Sequence, residues 1–123
     1  MFDSLKAAGA LASLMKNKEG LKAAGERIRA KLGEMRIQGG SGGGAVRAVV
    51  SGDMRVISIA MDPPVLAGLS GGDERSREMV QLLLVDAVNN AMDLAKAAAA
   101  REVAKETEAL GLPNMPGMEG LLG

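Results

Sequence analysis

Residues 39–52 read GGSGGGAVRAVVSG, and five of the first six are glycine. Gly40, Gly42 and Ala45 fit the G-x-G-x-x-G/A spacing of dinucleotide sites, in which glycines let the backbone approach a pyrophosphate seated on the N-terminus of the next helix. That chemistry needs a strand before the glycines and a helix after them. Here Ala45 is followed by VRAVV, a Ser-Gly-Asp turn and MRVISIAM. Two runs rich in Val and Ile around a short glycine turn predict a β-hairpin. No Lys-Ser or Lys-Thr pair follows, so the segment is not a Walker A loop either. The glycines are read as a connection between strands that can take positive φ.

Outward from the hairpin, the alternation predicts three short strands, at about 35–39, 44–51 and 54–61. Ile57, Ile59 and Met61 share one face of the last, with Val56 and Ala60 on the other; Val46, Ala48 and Val50 oppose Val49 in the middle one. Apolar residues on both faces call for cover on both sides. A helix pair covers one, and a partner chain is the candidate for the second.

Before the strands, a helix is expected over about 3–33, with Asp3 as N-cap. Leu11, Leu14, Leu21, Ile28, Leu32 and Met35 form a partial heptad seam, interrupted at Lys18 and Gly25. Gly9, Gly20 and Gly25 each weaken this helix by about 1 kcal/mol relative to Ala, so tertiary packing must help to hold it. The stretch after Lys6, AAGALASLM, continues the helical pattern, and Asp3 argues against reading it as a secretory leader. After the strands, Asp62-Pro63-Pro64 ends the sheet, Pro64 to Leu69 suits a single helical turn, and residues 70–72 form a loop. A long helix follows over about 73–110. Its segment MVQLLLVDAV is apolar nearly all round, as a buried helix would be. Leu83 and Val88 there join Ile57, Ile59 and Met61 as the candidate core or dimer residues. Gly111 and Pro113 stop the helix, and 111–123 reads as a flexible Gly/Pro/Met-rich tail beside a single domain at 1–110.

The fold class is α+β in the order α-β-β-β-α, with a small antiparallel sheet and two long helices. The helices would span about 45 and 55 Å, against about 27 Å for an eight-residue strand. They must overhang the sheet, and self-association is the economical cover for their apolar stripes.

Composition narrows the chemistry. The 123 residues hold no His, Cys, Trp or Tyr, and one Phe. Imidazole bases, thiol nucleophiles and the usual zinc sites are excluded, and no cofactor, metal or small-molecule substrate is expected. The lack of Cys fits a reducing cytoplasm. No run has the length of a membrane span. Phe2 alone offers no stacking platform for single-stranded nucleic acid, so a nucleic-acid role must rest on Lys and Arg against duplex phosphates. Net charge is zero but uneven: residues 1–36 carry eight basic and four acidic side chains, and residues 63–123 carry five and nine. Either the two helices attract each other, or the first presents a binding surface.

The order of elements, with Met1-Phe2, LASLMKN at 11–17, SGGGAV at 41–46, the Ser51-Gly52 turn, IAMDP at 59–63, Leu66 and Asn89-Asn90-Ala91, resembles the YbaB/EbfC family of bacterial nucleoid-associated proteins over almost the whole chain. Asn90 departs from that family's Asn-Asp/Glu-Ala pattern. The resemblance implies a tweezer-like homodimer, duplex-DNA binding, a nucleoid location in the cytoplasm and no enzymatic activity. It implies turn-shaping roles for the glycines and for Asp62-Pro63, and a packing or hydrogen-bonding role for Asn89. This chain has AAAA at 97–100, where a DNA-gripping arm would carry cations. Lys96, Arg101 and Lys105 remain there among Glu102, Glu106 and Glu108, as secondary contact candidates. The principal candidates lie on or just after the first helix: Lys16, Lys18, Lys22, Arg27, Arg29, Lys31 and Arg36. Lys22, Arg29 and Arg36 recur at seven residues as a stripe, with Glu19 and Glu26 placed to neutralise part of it. The competing reading is a dimeric module that binds another protein through its helix arms or its tail.

Overall fold

The computed structural model describes residues 18–109. Helix α1 (Lys18–Glu34) is followed by β1 (Ile37–Ser41), a 3-10 turn (Gly42–Gly44), β2 (Val46–Val50), β3 (Val56–Met61), helix α2 (Pro63–Ser70) and helix α3 (Glu74–Ala109). The strands form an antiparallel meander in the order β1-β2-β3. The expected class and element order hold, with strand ends within two or three residues of the sequence reading. Asp3, Leu11, Leu14, Lys16 and the tail lie outside the described residues.

The glycines act as turn and packing residues. Gly42, Gly43 and Gly44 take φ of +60°, +68° and +96°, a left-handed run that side chains make costly. Ala45 leads directly into β2, so the helix a pyrophosphate would need is absent after the motif. Gly39 has a different task. It pairs with Ala48 on β2, and a Cβ built on it would lie 2.6 Å from the Cα of Ala91 in α3. The missing side chain lets helix and sheet approach more closely than any other residue would permit.

The core is correspondingly small-grained. Val46, Ala48 and Val50 of β2 and Ala87, Ala91 and Ala95 of α3 are fully buried. Val65 of α2 and Val80 of α3 extend this core. Polar ties hold the helix along β1: the Ser41 hydroxyl donates to the Leu83 carbonyl at 2.5 Å, and the Asn90 amide donates to the Gly40 carbonyl at 2.9 Å. The hydrogen-bonding amide is thus Asn90; both it and Asn89 are exposed.

Helix starts and stops follow local chemistry. Pro63 and Pro64 occupy the first positions of α2, where a missing N–H is harmless and φ is preset; the expected single turn becomes an eight-residue helix. Asp73 caps α3 by accepting the Ser76 N–H at 2.9 Å. At the end of α1, the Gly52 N–H donates to the Leu32 carbonyl at 2.8 Å. The Arg36 guanidinium donates to the carbonyls of Gly33 and Met35, each at 2.8 Å. These donors satisfy carbonyls that a helix end leaves open.

α3 performs two packing tasks in succession. Its buried positions after Val80 are Ala87, Ala91, Ala95, Ala99, Val103 and Thr107. Each step of four residues turns the helix by about 400°, so the buried stripe advances by about 40° per step. It leaves the sheet and comes to face α1, which packs on the far half of α3 with Leu32 buried and Ile28 half-buried. The two helices form an arm that extends past the sheet.

Candidate nucleic-acid interface

The charge of this arm is sorted by flank. Lys31 Nζ donates to Glu106 Oε1 at 2.6 Å and lies 3.3 Å from Glu102 Oε1. The two carboxylates are four residues apart on α3, hence on one flank of it. Their hydrogen bonds, Glu106 first, raise the Lys31 ammonium above its ordinary pKa, and the Lys31 ammonium holds the Glu106 carboxyl below its own. Arg27, four positions before Lys31, adds its field to Glu106 on the same flank.

Lys22 and Arg29 lie on the other flank of α1. They are seven residues apart and so within about 20° of each other around the helix, and both are exposed. On the matching flank α3 presents Ala100 and Ala104, both half-buried. Glu19 and Glu26 lie about 60° further round. Among the described residues the ion pairs are Lys31–Glu102, Lys31–Glu106 and Arg47–Asp62, so neither acid reaches Lys22 or Arg29.

The other candidates separate. Lys18 opens α1. Arg36 lies past the end of the helix, so the seven-residue stripe does not continue into it, and its guanidinium is occupied by carbonyls. Lys96, Arg101 and Lys105 are exposed on α3, and helix geometry turns Arg101 and Lys105 away from α1. Sequence reading passed over Arg47, which donates to the Gly44 carbonyl at 2.7 Å and to Asp62 at 3.0 Å, tying the glycine turn to the start of α2. It also passed over the exposed cations Arg55, Arg75 and Arg77. The alternation in β2 places Arg47 opposite the core, but nothing in one chain names its partner.

A second surface is apolar. Ile57 and Ile59 on β3 are 46% and 44% exposed, although Ile59 pairs with buried Ala48. α3 lies over β1 and β2 and leaves β3 open. Met61, Leu83 and Val88 are partly buried against the core. Met79, Leu82 and Val85, on the side of α3 turned from the sheet, are 62%, 64% and 54% exposed. A shallow groove of about 290 Å³ is lined by Leu84, Val85, Val88 and Asn89.

The sequence model of the YbaB/EbfC DNA-binding family matches residues 8–110. The chain belongs to that family. It is 32% identical over 114 residues to a nucleoid-associated protein of Alkaliphilus metalliredigens, covering 93% of this chain and 95% of the relative. It is 37% identical over 92 residues to one of Chlorobium phaeobacteroides, covering 75% and 76%. A nucleoid-associated protein of Pseudomonas fluorescens is 31% identical over 105 residues, 85% of this chain and 91% of the relative. The YbaB/EbfC match spans every described element, from α1 to the end of α3.

Proposed function

We propose that this protein is a homodimeric, non-enzymatic duplex-DNA-binding protein of the nucleoid, working mainly through phosphate contacts. The observation that carries the reading is the exposed Lys22–Arg29 flank of the arm, bordered by alanines, in a chain of the YbaB/EbfC DNA-binding family. The contact residues are Lys18, Lys22 and Arg29, with Arg27 and Lys96 at the margin. Phosphates are their natural target, because a two-helix arm without aromatics or a dedicated recognition helix offers little for reading base edges. Sequence preference is accordingly slight. Dimerisation is supported by the open apolar faces of β3 and α3, since exposed apolar patches mark association sites.

Gel shifts of a duplex at two salt concentrations test the reading. Binding at low salt that falls steeply as salt rises supports it. No shift at low salt removes it in favour of a protein-interaction module, for which the exposed Met79, Leu82 and Leu66 are the supporting observation.

A further inference from the structure

We propose that Glu102 and Glu106 are built-in anionic competitors for Lys31, confining duplex binding to the Lys22–Arg29 flank of each arm. The inference rests on the DNA reading above.

An ammonium has three donors. In Lys31 one is in a 2.6 Å bond to Glu106, and Glu102 lies 3.3 Å from the same nitrogen. The two carboxylates thus offer Lys31 what a phosphate would offer, paired anionic oxygens. The Lys31 side chain is still 50% exposed, so it sits at the surface as a cation already matched. A phosphate approaching it must displace a carboxylate and face the repulsion of both. Arg27 lies on the same flank, four positions before Lys31, in the field of Glu106. On the opposite flank no carboxylate among the described residues pairs with Lys22 or Arg29, and α3 presents Ala100 and Ala104 there. Two flanks with comparable numbers of cations therefore differ in their attraction for DNA, which gives each arm one binding side.

The test is a salt titration of duplex binding with the full chain, the Glu102→Gln/Glu106→Gln variant, and a charge-matched control, Glu74→Gln/Glu78→Gln, at the end of α3 remote from Lys31. Glutamine keeps the size and the acceptor oxygen, and unchanged helix content by circular dichroism verifies the fold. The Glu102/Glu106 variant is expected to bind more tightly than both parent and control. Its slope of log K against log salt steepens by about 0.9 for each further phosphate neutralised. Its advantage over the parent then grows about 3.5-fold per phosphate on going from 200 to 50 mM salt. Adding Lys31→Gln abolishes the gain. A parent that binds, with a variant no better than the control, overturns the competitor role and leaves the DNA reading standing. A gain that survives Lys31→Gln overturns it too. A variant that binds where the parent does not overturns the confinement to the Lys22–Arg29 flank, and absence of binding by both overturns both proposals.

Discussion

Gly39 of β1 faces Ala91 of α3 at a distance that leaves no room for a methyl group: a Cβ on Gly39 would stand 2.6 Å from the Ala91 Cα. The obstacle is helix backbone, which cannot rotate away as a side chain can. We predict that Gly39→Ala destabilises the protein by about 2–3 kcal/mol, at the upper end of ordinary overpacking, read as a lowered urea midpoint. Adding Ala91→Gly should restore little, because it removes the methyl and not the main chain. Full rescue by Ala91→Gly would show that the helix and strand approach less closely than described.

The proposed DNA surface makes an asymmetric prediction. Lys22→Ala with Arg29→Ala should weaken binding to all duplex sequences alike and flatten the salt slope by about 0.9 for each phosphate no longer neutralised. Arg101→Ala with Lys105→Ala removes the same charge from a face turned away from α1 and should cost less. Gel shifts over a salt series decide it. If the second pair abolishes binding and the first does not, the DNA surface belongs on α3.

The proposed dimer can be tested without touching the arm. Leu82 and Val85 are exposed on the outer side of α3, and Ile59 is exposed on β3. We expect light scattering to give about twice the 12.6 kDa chain mass for the parent. Leu82→Glu/Val85→Glu should approach the mass of a single chain, because a buried unpaired carboxylate is strongly disfavoured. A parent at monomer mass at micromolar concentration would refute the dimer.

Acid should loosen the arm first. The folded-state pKa of Glu106 is depressed by the Lys31 hydrogen bond. The stability it contributes is therefore full above the ordinary glutamate value of about 4.3 and is lost as pH falls through the lower folded value. Asp73, held low by the Ser76 N–H, behaves likewise around the ordinary aspartate range. Lys31 has the opposite sign: its pKa is raised, so its contribution is full below the ordinary lysine value of about 10.4 and is lost as pH rises through the higher folded value. The melting temperature should be level between these limits. Glu106→Gln should reduce the acid-side decline, a difference measurable by circular dichroism melts from pH 2.5 to 7.

Much of the fold can be read from periodicity. The period-2 runs mark β2 and β3, and the glycines separate from a phosphate loop because Val46–Val50 cannot be the required helix. Other features depend on contacts between distant residues. Lys31 and Glu106 are 75 positions apart, and the only hint of their union along the chain is a basic first helix and an acidic last one. The structure gives Asn90, not Asn89, the tie to β1, a choice settled by a helix rotation of about 100° that no local pattern fixes. Arg36 fits the heptad spacing, yet the helix ends at Glu34, and past a helix end that spacing no longer specifies a face.

The drift of the buried stripe along α3 makes residues 95–99 a protractor. Up to Ala95 the buried face is turned to the sheet; from Ala99 onward it is turned to α1, whose end is itself tied to the sheet by the Gly52–Leu32 bond and a two-residue link to β1. One extra alanine in the 97–100 run would turn Glu102, Val103, Glu106 and Thr107 by about 100° and carry them off the faces that meet α1. Seven extra residues would return the phase to within about 20° and lengthen the reach by about 10 Å. The number of residues in that run, more than their identity, sets which face of the far half of α3 meets α1.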